Sequence, residues 1–134
     1  MTRAILAVVA GLVVWMVVAT LLNFGLRAGL AGYTLAEPTM TFTLGMKVAR
    51  LILGALASLA AGAAAGLIAP SKTAPRWVLG GIILALFIPV HIQLWAKFPA
   101  WYHLVFLGTL LPLVVMGGAL TSARLRVSPT QVRA

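Results

Sequence analysis

The chain has 134 residues, of which 63% are hydrophobic and only 8% charged, and its mean hydropathy is +1.12. Soluble domains carry about 25% charged residues, so composition excludes a water-soluble fold and names lipid as the solvent. Ten Lys and Arg stand against one acid, Glu37, for a net charge of +9; these cations are scattered between apolar runs with no basic, aromatic-rich stripe, which excludes nucleic acid as a partner.

Ala4 to Leu26 is an apolar run long enough to cross a hydrocarbon core of about 30 Å. It is too long for the apolar part of a secretory signal, so it is expected to stay as a first span. Arg27 to Met46 is the longest connection, carrying Gly29, Gly32, Tyr33, Glu37 and Pro38. Thr39, Thr41 and Thr43 then alternate with apolar residues, and each has the side chain of a helix N-cap. An unpaired strand beside lipid would leave backbone groups unsatisfied, so the alternation predicts a partly ordered interfacial loop and a helix beginning between Pro38 and Thr43.

The second span is expected at about residues 43–69, where Pro70-Ser71-Lys72 stops it. Within it Gly54, Ser58, Gly62 and Gly66 follow Arg50 at intervals of four, and Ala57, Ala61 and Ala65 form a parallel row. Positions four apart share a helix face. Small residues on such a face let helices in lipid approach until dispersion holds them. This helix is therefore the expected centre of packing. The third span is expected at 77–95, bracketed by Trp77 and Trp95 at the two interfaces. The short turn at 96–100 makes the fourth, at about 101–120, its antiparallel neighbour, and a polar tail follows at 121–134. Pro89 and Pro112 predict kinks inside spans three and four, with Thr109 placed to help satisfy the freed backbone.

The expected fold is an all-α integral membrane protein, a single domain over 1–134 built as an antiparallel four-helix bundle. Both termini then share a side. That side holds Arg3, Lys72, Arg76, Arg124, Arg126 and Arg133; the other holds Arg27, Lys47, Arg50 and Lys97. The excess of cations places the termini in the cytoplasm, in what reads as a bacterial inner membrane.

This topology gathers the polar groups near spans into one outer layer: Asn23, Arg27 and Glu37, then Lys47 and Arg50, then His91, Gln93 and His103. The other end has no comparable layer. Arg50 is the sharpest member, since a cation inside a span generally faces a bundle interior or a wet cavity. Glu37 has no second acid for paired acid–base work, and is expected to salt-bridge Arg27, Lys47 or Arg50. No catalytic set, metal site or cofactor is expected, because neither His has a nucleophile and the flanking cations repel a metal ion.

The leading functional expectation is a non-catalytic protein acting through helix–helix or lipid contacts, as a homo-oligomer or an accessory subunit of a membrane partner. In that reading one small-residue row of the second span serves the chain and the other serves a partner. The alternative is a small channel or transporter for an anionic or neutral solute, with a wet cavity at Arg50 and Asn23. A weaker third is an intramembrane enzyme using His91 or His103 as a base.

Overall fold

The computed structural model describes residues 1–127, all of whose regular structure is helical. Four helices are long and apolar enough to cross a membrane: α1 (Thr2–Gly29), α3 (Leu44–Ile68), α4 (Ala74–Gln93) and α5 (Ala100–Val127). A single turn, α2 (Tyr33–Ala36), lies in the connection between the first two. Thr43 caps α3, its side chain accepting from the Met46 amide at 3.3 Å, so one of the three expected caps is used.

The helices stand at four corners in the order α1, α3, α5, α4. Chain neighbours α1/α3 and α4/α5 pack antiparallel. The other two adjacent pairs are parallel, which corrects the expectation of a purely antiparallel bundle. Along α3 and α5, Gly54 meets Phe106, Gly62 meets Val114 and Gly66 meets Gly118, with both numbers rising together. A parallel pair follows because the connection from α3 to α4 crosses the bundle instead of turning back to an adjacent corner.

Among the described residues the small-residue ladder makes the closest helix–helix approach at a glycine. A Cβ on Gly62 would meet the Val114 carbonyl, and one on Gly66 would meet the Gly118 carbonyl 2.5 Å away. Ser58 is buried in the same face and donates to the Gly54 carbonyl at 2.7 Å. The alanine row is equally covered, Ala57, Ala61 and Ala65 being at most 1% exposed, with Gly11 of α1 against the Ala61 carbonyl. Both rows are thus spent within the chain. The expectation that one of them stays free for a partner is corrected.

Several boundaries move: α1 runs on to Gly29, beyond the expected end at 26, so Arg27 lies on the helix and not in the connection. α4 starts at Ala74 rather than Trp77, with Pro75 in its first turn, where its missing amide costs nothing. It ends at Gln93, so Trp95 lies in the following turn. α5 runs on to Val127, beyond the expected end at 120; Arg133 and the rest of the tail from 128 lie outside the described residues. Thr109 donates to the Val105 carbonyl at 2.7 Å, one turn back, and leaves the Gly108 carbonyl freed by Pro112 to others.

The earlier start of α4 brings in a group the sequence reading set outside the spans. Arg76 is 6% exposed, lies across Gly118 and donates to Ser122 Oγ at 2.7 Å and the Pro70 carbonyl at 3.4 Å. The terminal end of the bundle therefore does hold a buried cation, held between α5 and the turn after α3. The polar layer at the opposite end is not unique in kind.

Candidate functional site

Two apolar clusters organise the bundle. One, around Ala61, Ala65, Leu79, Leu110 and Val114, fills the half nearest the termini. The other lies under α2, where Tyr33, Phe42, Phe98 and Tyr102 stack in sequence with ring centroids 5.2, 5.9 and 4.5 Å apart. Gly32, at φ +78, supplies the left-handed turn that drives Tyr33 into this cluster.

Between the clusters a cavity of about 370 Å³ opens, within the usual range for small-molecule pockets. α1 and α4 form its two sides; α3 and α5 form its back. Its lining runs along α1 from Arg27 to Trp15, about 18 Å at 1.5 Å per residue. Trp15 stands at the middle of α1, so the cavity reaches halfway through the bundle. There Trp15, Phe87 and Phe106 close the floor with centroid separations of 4.8 and 5.2 Å along the row. Trp15 Nε1 donates to Ser58 Oγ at 3.2 Å, which ties the floor to the glycine ladder beneath it.

The upper wall is a hydrogen-bonded relay with a definite direction. Arg50 Nη1 donates to the Tyr33 hydroxyl at 2.7 Å, and that hydroxyl donates to Asn23 Oδ1 at 2.9 Å. Asn23 Nδ2 donates to Glu37 Oε1 at 3.1 Å, and Arg27 Nε donates to Glu37 Oε2 at 2.8 Å. Glu37, in the connecting loop, is held below the usual carboxylate range, first by the Arg27 hydrogen bond and then by that from Asn23. Both of its oxygens are engaged. Among the described residues Arg27–Glu37 is the one salt bridge.

Arg50 is left with neutral company. Its guanidinium lies 4.7 Å over the Phe42 ring, and its Nε is buried with no partner. A guanidinium facing a cavity, with aromatic and hydroxyl neighbours but no ion pair of its own, has the chemistry to bind anionic groups that accept hydrogen bonds.

The two histidines, from α4 and α5, meet on the same lining. Their Nδ1 atoms are 2.8 Å apart, one ring donating to the other. His103 is fully buried and stacks on Trp95 at 4.7 Å, while His91 is 6% exposed and stacks on Tyr102 at 6.0 Å. His103 Nε2 is sealed without a partner.

Of the eight residues expected in the outer layer, six line the cavity: Asn23, Arg27, Glu37, Arg50, His91 and His103. Lys47 and Gln93 do not; Lys47 is half-buried on α3 away from the lining, and Gln93 is exposed on the last turn of α4. Helix phase sets Gln93 apart, since it is two positions from His91 and so turned about 200° from it, whereas Lys47 lies one turn nearer the start of α3 than Arg50. The sequence reading missed Tyr33 as the hinge of the relay, Tyr102 beside Arg50, and the aromatic floor. Only Tyr33 carried a signal, a large polar ring directly after a glycine in a long loop. Comparison with known proteins adds nothing to this geometry: no family model matches the chain, and no curated protein or solved structure is significantly similar to it.

Proposed function

We propose that the chain is a multi-pass membrane protein that binds a small anionic solute in this cavity, the head on Arg50 and a flat apolar body against Trp15, Phe87 and Phe106. The carrying observation is the Arg50 guanidinium, which lines the cavity with no salt bridge of its own, Glu37 on the same lining being paired with Arg27. Large apolar side chains exposed around the bundle, among them Leu21, Leu86, Leu104 and Leu120, support lipid as the surrounding medium. Arg3, Lys72, Arg76, Arg124 and Arg126 gather at the end opposite the cavity. That balance supports a cytoplasmic placement for this end and an outward-facing cavity mouth.

The cavity has a floor. Below Trp15 the helices are packed through the glycine ladder, so the geometry supports a binding site, or one end-state of an alternating-access carrier, over an open channel. The reading as an assembly subunit loses one of its supports, because both small-residue rows are in contact within the chain.

Purified protein in detergent should bind 2-naphthoate saturably, quenching tryptophan fluorescence, and Trp15→Phe should remove most of the quench. Arg50→Met should weaken binding roughly tenfold or more, the size of a lost charge-assisted hydrogen bond of about 1.5–3 kcal/mol. Equal affinity in Arg50→Met, with helix content and melting temperature unchanged, would overturn the proposal.

A further inference from the structure

Resting on that reading of the pocket, we infer that the site is proton-linked: the His91–His103 pair takes up one proton when an anion settles on Arg50. The argument begins with the contact itself. Two imidazoles with Nδ1 atoms 2.8 Å apart need one Nδ1–H and one bare Nδ1. If His91 donates, its Nε2 is a bare lone pair, and this atom, unlike His103 Nε2, is not sealed from the cavity. A proton arriving at His91 Nε2 makes an imidazolium that still donates through Nδ1 to neutral His103. The hydrogen bond survives and gains charge assistance. A second proton would place two N–H groups head to head and break it. The pair therefore holds one proton and refuses two.

The charges facing the pair explain why the proton waits for an anion. From α3 comes Arg50, whose positive charge acts on His91. From α5 and α2 come the hydroxyls of Tyr102 and Tyr33. From α1 and the loop come Arg27 and Glu37, which neutralise each other. The cavity thus carries one uncompensated positive charge, and a second on His91 would face it across the cavity. An anion on Arg50 cancels the first charge and removes that share of the opposition, while the burial of His91 and the neighbouring His103 remain. By linkage, the proton must then tighten the anion by the same factor. The solute class this selects is an anion that binds together with a proton, as a weak acid dissociated inside the site would be. The released proton rests on His91 Nε2 and the conjugate base on Arg50, so charge and atoms balance.

The chain offers a clean test, since it contains only two His and no Cys. The test runs between pH 5.5 and 8, and the amino terminus lies at the far end of the bundle. The probe is naphthalene-2-sulfonate, which remains an anion throughout that range, so that any proton taken up is the protein's. Calorimetry in buffers of different ionisation enthalpy should show close to one proton absorbed per anion in the titrating range. Affinity should rise about tenfold from pH 8 to pH 5.5. In His91→Gln, and separately in His103→Gln, the pH slope should vanish; the slope is the readout, whatever affinity remains. Binding that depends on Arg50 but takes up no proton in wild type would overturn the linkage and leave the pocket standing. A slope that persists in both His variants would assign the proton elsewhere and overturn it too. Absence of saturable binding at every pH would bring down the pocket reading and this inference together.

Discussion

Asn23 shows what one amide can organise. Its Oδ1 accepts from Tyr33 and its Nδ2 donates to Glu37, so both ends are engaged in opposite senses and the amide has one orientation. Glu37, bound to Arg27 and Asn23, makes no hydrogen bond to Arg50. The single carboxylate of the chain is thereby kept off the cation that faces the cavity. Because the folded state holds the Glu37 carboxyl below its ordinary value of 4.5, its ionised form contributes stability above that value, and the contribution is lost as pH falls through the lower folded value. Glu37→Gln should accordingly melt below wild type at pH 7, by a modest margin since the pair is partly exposed, and the gap should close as pH drops well below 4.5. Thermal melts of the two proteins across that range check this; a gap that widens with acid would contradict it.

At the scale of the helix, α3 is governed by how near another backbone can come. Gly62 and Gly66 face carbonyls and backbone of α5, which cannot rotate away as a flexible side chain would. Gly62→Ala should therefore cost more than the usual overpacking of about 1–3 kcal/mol or force α5 to shift outright. Gly108, one helix over, has open space around its Cα. Gly108→Ala should be neutral or stabilising by up to about 1 kcal/mol, because alanine favours the helix. Melting temperatures in one detergent compare the two; a drop at Gly108 matching that at Gly62 would remove close approach as the reason. The Gly62 contact was half legible in the sequence. Spacing by four identified a face made for another helix, but the same spacing could not identify α5, packed parallel, as its occupant. Nor could it show that the alanine row was also taken.

For the whole molecule, the cavity exists because α1 and α4 close on each other at one end, where Gly11 receives Leu79, and are separated by a cavity beyond Trp15 and Phe87. The proposed topology puts that open end outside the cell. With no native Cys, single cysteines report the sidedness directly. Leu35→Cys, in the exposed loop at the cavity end, should react with an impermeant maleimide added to intact cells. Ser71→Cys, exposed in the connection between α3 and α4, should react only after the membrane is opened. The reverse pattern would turn the molecule over.

Sequence alone determined the number of long apolar helices, the small-residue character of α3 and the gathering of Asn23, Arg27, Glu37, Arg50, His91 and His103 at one end. These properties follow from composition and from periods of about 3.6 residues, which are local in the chain. Tertiary structure decided which corner each helix occupies, that α4 begins early enough to bury Arg76, that the two histidines touch, and that Glu37 spends its charge on Arg27 rather than Arg50. Those outcomes depend on distances between atoms far apart in the chain. In helices of this kind a turn of phase or a one-turn shift of register changes them, and no local pattern encodes either.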